Sequence, residues 1–243
     1  MSINLVVGSE WLKIRSLRST LGSLIAVFGV TVGISALVGV LLDDSGTAKL
    51  GSDPLAVSFY GLAFGQVAAI SFGAVAVSQE FHHAAVRVSL AAVPRRGVFY
   101  TAKMATIGAA SLVVGLLTGL ATLALGRVLI GESVTWDASA LRAAVGSGIY
   151  LALMALFAAG LTALLRSGVA VLSLLIPFLL IVPFVFNDVA SGVVNYLPDR
   201  AAQLLVQQDP SGPIGPWSAL GVTALWATAA LLAGWFALNR RDA

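Results

Sequence analysis

Charged side chains in this sequence stand in clusters separated by long apolar runs. Arg18 to Asp43 encloses 24 uncharged residues, Asp53 to Glu80 encloses 26, and Lys103 to Arg127 encloses 23. Arg142 to Arg166 encloses 23, Arg166 to Asp188 encloses 21, and Asp209 to Arg240 encloses 30. A helix needs about 20 apolar residues to cross a hydrocarbon core of about 30 Å. The six runs therefore predict six transmembrane helices, near Leu21–Leu42, Leu55–Val77, Met104–Leu125, Ala143–Leu165, Val169–Phe186 and Trp217–Leu238. Membrane strands would alternate over about ten residues, whereas these runs are continuous and twice as long. A helix also pairs every backbone N–H and C=O within itself, as lipid demands. The first run is longer than the apolar region of a signal peptide, about 7–15 residues, and is read as a span. The expected fold is all-α: a polytopic membrane protein with a 21–243 transmembrane domain behind a segment at 1–20.

Composition agrees and narrows the class. Charged residues make up 10% of 243, apolar residues 58%, and mean hydropathy is +0.96. A soluble domain carries roughly a quarter charged residues, so this chain lacks the polar groups to cover a water-facing surface. The absence of Cys excludes disulfides, thiol nucleophiles and Cys-type metal sites.

The basic residues set an orientation. One side of the predicted spans holds Lys13, Arg15, Arg18, Arg87, Arg95, Arg96, Lys103, Arg166, Arg240 and Arg241, and the other only Lys49, Arg127, Arg142 and Arg200. Both termini are thus expected in the cytoplasm, with the chain a multi-pass protein of the cell membrane. The acidic residues mirror this, so the formal net charge of +3 averages a basic inner face and an acidic outer one. A basic inner face reflects membrane topology and is no sign of nucleic-acid binding.

No catalytic constellation stands out. His82 and His83 are adjacent and do not form the i, i+4 pair that a helical metal site uses. Lys13, Lys49 and Lys103 follow Leu12, Ala48 and Ala102, so the Gly-Lys core of a P-loop is missing. If ATP drives this protein, another polypeptide binds it. No charged side chain lies inside a predicted span, which weighs against an ion-coupled carrier. Gln66, near the centre of the second span, is the main polar candidate: either an interhelical hydrogen bond worth about 0.6–2 kcal/mol or a contact to substrate.

Between the spans, several segments carry alternatives. In Gly8–Thr20, Trp11 and neighbouring apolar residues share a helical side with Lys13, Arg15 and Arg18 close by, although Glu10 intrudes on that side. The segment reads as a helix lying in the membrane interface or as a generic basic anchor. After the second span, Phe81, Ala84, Ala85, Val88 and Ala92 recur at helical spacing until Pro94. That loop is a stiff helix able to transmit a push, or an ordinary connector. Pro177 and Pro183 remove helical donors from the carbonyls of Ser173 and Leu179 in the fifth span. Such breaks occur in pathway-lining helices and in static bundles alike, which makes Ser173, Pro177 and Pro183 pathway candidates with Gln66. The stretch from Asn187 to Trp217 is unusually apolar for an outer loop and is expected to dip back into the interface. Small residues repeat every fourth position at Gly29/Gly33, Gly61/Gly65/Ala69/Gly73 and Ser111/Gly115/Gly119, suiting close packing within the chain or a dimer seam.

Taken together these segments resemble the permease subunit of type-two ATP-binding-cassette (ABC) exporters, and in particular the short actinobacterial permeases. The resemblance runs from about Ser9 to Ala243. It is carried by Glu10, Trp11, Lys13, Arg15, Ser16, Arg18 and Ser19 at the entry, by Glu80 and Phe81, by Arg87 and Leu90–Arg96, and by Arg240–Ala243. The sequence departs from the family pattern at His82, His83 and Ala84, where a small polar or Gly run is usual. The resemblance implies an interfacial N-terminal helix and a cytoplasmic coupling helix over Glu80–Val93. There Glu80, Phe81, His82, His83, Arg87 and Leu90 would meet a separate ATPase subunit. It also implies a partly re-entrant outer segment between spans five and six, and a second permease subunit. ATP and Mg²⁺ would sit on the partner ATPase, leaving this chain without catalysis or cofactor of its own. An ATPase-independent carrier, channel or scaffold is the alternative.

Overall fold

In the computed structural model the residues described are 3–42, 53–81, 96–186, 192, 196–210 and 213–240. Among them the regular structure is helical, with no strand. The helices are α1 (Ile3–Ser16), α2 (Arg18–Leu41), α3 (Pro54–Ser58), α4 (Leu62–Phe81), α5 (Arg96–Ile130), α6 (Ala138–Leu165), α7 (Gly168–Phe186), α8 (Arg200–Leu205) and α9 (Pro216–Arg240). Five of these are long and apolar enough to cross a membrane: α2, α4, α5, α6 and α9. The chain is accordingly a multi-pass membrane protein in its architecture. α7 is a further apolar helix, 19 residues long.

α6 is the hub. In its most apolar window 67% of residues are buried, against 28% in α2 and 33% in α9, and α4, α5, α7 and α9 all pack on it. Its sequence explains this, because Ala and Gly dominate its buried positions and small residues let helix backbones approach. A Cβ on Gly148 would lie 2.7 Å from the Leu116 backbone N, and one on Gly115 would lie 2.5 Å from the Gly148 carbonyl O. Only glycine fits that α5–α6 crossing. Gly73 of α4 likewise abuts the Ala155 carbonyl, and Gly160 abuts Ala230 of α9. Of the small-residue repeats, Gly61, Gly65, Gly73, Gly115 and Gly119 serve packing within the chain, whereas Gly29 and Gly33 face open space.

Two predicted spans differ in extent. The second, expected over Leu55–Val77, is broken at Phe59–Gly61 into α3 and α4. Asp53 caps α3, its Oδ1 accepting from Leu55 N at 2.9 Å and Ala56 N at 3.4 Å with Pro54 in the first turn. Gly61 then sits against the Thr31 backbone and donates its N–H to Ser35 Oγ at 3.1 Å, so the break is held by α2. The third span, expected over Met104–Leu125, is part of a 35-residue helix. At 1.5 Å per residue that is about 52 Å, well beyond a hydrocarbon core of about 30 Å. α7 remains helical through Pro177 and Pro183. Leu17, extended at φ −87° and ψ 113°, separates α1 from α2.

At the acidic end, Asp137 caps α6 by accepting from Ala140 N at 2.9 Å. Hydrogen bonds from Ser139, the Ala140 backbone and Thr135 push its carboxyl down to about 2. Segment 196–210 closes over this end. Gln208 N donates to Asp53 Oδ2 at 2.6 Å, Arg142 donates to the Gln207 carbonyl, and Ala201, Leu204 and Leu205 of α8 are fully buried against the bundle.

Candidate functional site

Three helix ends meet at the basic end of the bundle: α1, the end of α4 and the start of α5. Their union is ionic. Lys13 Nζ lies 2.8 Å from Glu10 Oε1 and 2.9 Å from Glu80 Oε1. Lys103 Nζ lies 2.6 Å from Glu10 Oε2 and 3.0 Å from Glu80 Oε1. Glu10, Glu80 and Lys103 are buried, and Lys13 is the partly exposed member. Both ammonium groups stand 5.8 Å from the centroid of the Phe99 ring, within cation–π range. Each carboxylate is shared by two ammonium groups, which offsets the desolvation that makes an isolated buried charge costly. Burial alone would pull the Lys13 ammonium down. Its hydrogen bonds and charge pairing with Glu10 and Glu80 prevail and hold it above the ordinary lysine value.

The cluster stands at the base of segment 82–95, which joins Phe81 to Arg96. Both stems of that segment are tied further. Gln79 donates to Ser19 Oγ at 2.6 Å, joining α4 to the start of α2. The Arg166 guanidinium stacks over the Phe81 ring at 5.8 Å. On the other stem, Arg96 donates to the Leu238 carbonyl at 2.9 Å and Tyr100 to the Leu231 carbonyl at 2.8 Å, both on α9. Beside the four charges is a cavity of about 20 Å³, lined in part by Thr20, Gln79 and Thr106. It has room for one water molecule.

A second buried polar group lies between α4, α6 and segment 196–210. Tyr150 donates its hydroxyl to Gln66 Oε1, and the same hydroxyl is 3.5 Å from Asp199 Oδ1. Gln66 is also hydrogen-bonded to Asp199. Gln203 donates to Asp199 Oδ2 at 3.1 Å, and Arg200 donates to Gln203 at 2.8 Å. Burial raises the Asp199 carboxyl above its ordinary value, against the opposing pull of Gln66, Gln203, Tyr150 and Arg200. Pro198 accepts from Thr223, and Tyr196 accepts from the Trp226 indole, so segment 196–210 is pinned along α9.

The residues predicted from sequence fall into distinct places. Lys13 and Glu80 meet in the ionic cluster. Phe81 is half-buried beside it. Trp11, Arg15 and Arg18 are exposed on the opposite side of α1 and at the start of α2. His82, His83, Arg87 and Leu90, with most of the expected coupling helix, lie outside the described residues. Gln66 is buried in an interhelical hydrogen-bond group, while Ser173 and Pro177 are exposed on α7 and Pro183 lies in its helical backbone. Among the described residues no three His, Cys, Asp or Glu side chains converge in a way that would hold a metal ion.

Sequence reasoning missed Glu10, Lys103, Tyr150 and Asp199. The intrusion of Glu10 on an apolar side of α1 was the one available signal for its partner. Lys103 bounds the predicted third span, and Asp199 falls in the stretch expected as an outer loop. The structure instead buries both, because each finds partners on helices distant in sequence. No protein-family model matches this sequence, and neither curated proteins nor solved structures provide a matching relative.

Proposed function

We propose that this chain is the membrane-spanning permease subunit of an ATP-driven ABC exporter, with six spans counting α7 and both termini in the cytoplasm. Two such subunits form the translocation pathway, and separate ATPase subunits bind ATP and Mg²⁺ and dock beneath segment 82–95. The observation that carries this reading is the ionic cluster of Glu10, Lys13, Glu80 and Lys103 at the base of that segment. A loop that receives force needs stems that do not slip, and buried charge-assisted contacts between three helices supply that. The Gln208–Asp53 contact and the buried α8 support an outer segment that dips back between spans five and six. The permease performs no covalent chemistry; ATPase closure moves segment 82–95 and, through its stems, the bundle.

The test is purification of the tagged chain from its native host. A stoichiometric P-loop ATPase is expected to accompany it, and Arg87→Glu should uncouple ATP hydrolysis from transport while leaving membrane insertion intact. Recovery of no ATPase, together with substrate flux by the chain alone in vesicles, would reject the reading. One observation favours the second reading, an ATPase-independent carrier: the buried carboxylate of Asp199 against Gln66 and Tyr150, since ionisable groups in a bundle interior commonly mark ion or proton pathways. On that reading Asp199→Asn abolishes flux.

A further inference from the structure

The ionic cluster also decides what α1 shows to its surroundings. α1 carries one carboxylate in its described length, Glu10, and that side chain is turned inward onto Lys103. Ile14 is turned inward beside it. The opposite side bears Trp11, 49% exposed, and Leu12, 65% exposed, with Arg15 one turn beyond Trp11. Across the extended residue Leu17, itself exposed, Arg18 and Leu21 continue this exposed surface. Among the described residues no carboxylate lies within ion-pair distance of Arg15 or Arg18. The outward surface is therefore apolar and cationic without a compensating acid. An aromatic and three leucines suit the acyl–headgroup boundary, and guanidinium groups suit phosphate oxygens.

We propose that this surface of α1 binds the headgroups of anionic phospholipids, and that the Glu10–Lys13–Glu80–Lys103 cluster conveys that binding to both stems of segment 82–95. The occupant is a lipid surface because the charges are interleaved with exposed apolar side chains, an arrangement that gives a soluble anion nothing to gain from half the surface. The transmission follows from connectivity. The face of α1 opposite the lipid holds two of the four charges, and the stems hold the other two. α1 cannot shift by more than a fraction of an ångström without stretching contacts of 2.6–3.0 Å. Anionic lipid thus fixes the stems, and neutral lipid leaves them freer.

The experiment uses the purified full chain in nanodiscs of phosphatidylcholine alone or with phosphatidylglycerol added, read by amide hydrogen exchange. Phosphatidylglycerol is expected to slow exchange in α1 and in the stems near Gln79–Phe81 and Arg96–Lys103. Arg15→Gln and Arg18→Gln should each weaken that lipid-dependent protection by up to roughly fivefold, the factor expected for one basic side chain near an anionic surface. Added salt should weaken it too. Glu10→Gln and Lys103→Gln should keep the lipid response in α1 and lose it in the stems, whereas Lys103→Arg should keep both. Equal exchange in the two lipids, or arginine variants with an undiminished response, would overturn the lipid site. Stems that respond fully in both Gln variants would overturn the transmission. No ATPase is present in the assay, so these outcomes are separate from those that decide the permease reading.

Discussion

Gly148 of α6 is the position where a single added methyl group tests the packing most directly. Its Cβ would meet Leu116 N at 2.7 Å and Leu116 Cα at 2.8 Å. Ordinary contact begins at 3.4 Å, so α5 and α6 must separate by about 0.7 Å at this point. Backbone atoms cannot rotate away as a side-chain tip can. A gap of about 0.5–1 Å forfeits a quarter to a half of the dispersion energy at each neighbouring contact. Overpacking of this kind costs about 1–3 kcal/mol, and Gly148→Ala should fall in the upper half of that range. Gly115→Ala opposes the same crossing from the other helix and should cost a similar amount. The double variant should cost less than the two together, because a separation made for one methyl group accommodates the second. Gly221→Ala serves as the control: nothing lies within 4 Å of its Cβ, and the change should be neutral or stabilising by up to about 1 kcal/mol. Equilibrium unfolding in mixed micelles, or steric trapping in bicelles, measures all four. A Gly148→Ala effect within about 0.5 kcal/mol of zero, or full additivity in the double variant, would refute the close α5–α6 crossing.

Three further outcomes are open to measurement. Lys103→Met removes from two buried carboxylates the buried ammonium they share, and should destabilise the chain by about 3–5 kcal/mol; adding Glu10→Gln and Glu80→Gln should recover much of that loss in the same unfolding assay. The Asp199 carboxyl is raised in the folded state, so the stability it contributes is full below the unfolded value of 3.8 and is lost as pH rises through the raised value. Asp199→Asn should flatten that slope in a series of melting curves, and a wild-type melting temperature independent of pH across this window would contradict the burial of Asp199. Asp137 is the opposite case: its stabilisation is present above 3.8 and is lost as pH falls toward about 2. Asp137→Ala should cost about 0.5–2 kcal/mol at neutral pH through loss of the α6 cap, with early melting of the first turn visible by hydrogen exchange.

The positions of the spanning helices were legible because charge marks contact with water along most of this chain. The uncharged runs locate α2, α6 and α9 to within a turn or two at both ends. The same rule fails where a charge is neutralised inside the protein. Lys103 bounds a run, yet it is buried within α5, where Glu10 and Glu80 pair its ammonium. Asp199 lies in the stretch expected as an outer loop, yet Gln66, Tyr150 and Gln203 hold it within the bundle. Those partners come from elements up to 133 positions away (Gln66 and Asp199), and no local pattern carries such a pairing. The break at Phe59–Gly61 was hidden for a related reason. It is enforced by Thr31 and Ser35 of α2 pressing on Gly61, while the local sequence is apolar and free of proline.

The burial of α6 bears on how the chain assembles. α6 enters the membrane while the ribosome has yet to deliver α9, which begins some fifty residues later. Until then the side of α6 around Gly160 is a trough of glycine and alanine facing acyl chains, which fill so narrow a groove poorly. The trough closes only when Ala230 and Gly234 of α9 seat against it. A half-made molecule therefore displays a smooth, small-residue helix face in lipid, and quality-control factors in the bilayer that bind such faces would have their window before α9 arrives. Substitutions that slow the seating of α9, rather than those that weaken the finished bundle, are the ones that should lower the yield of this protein in cells.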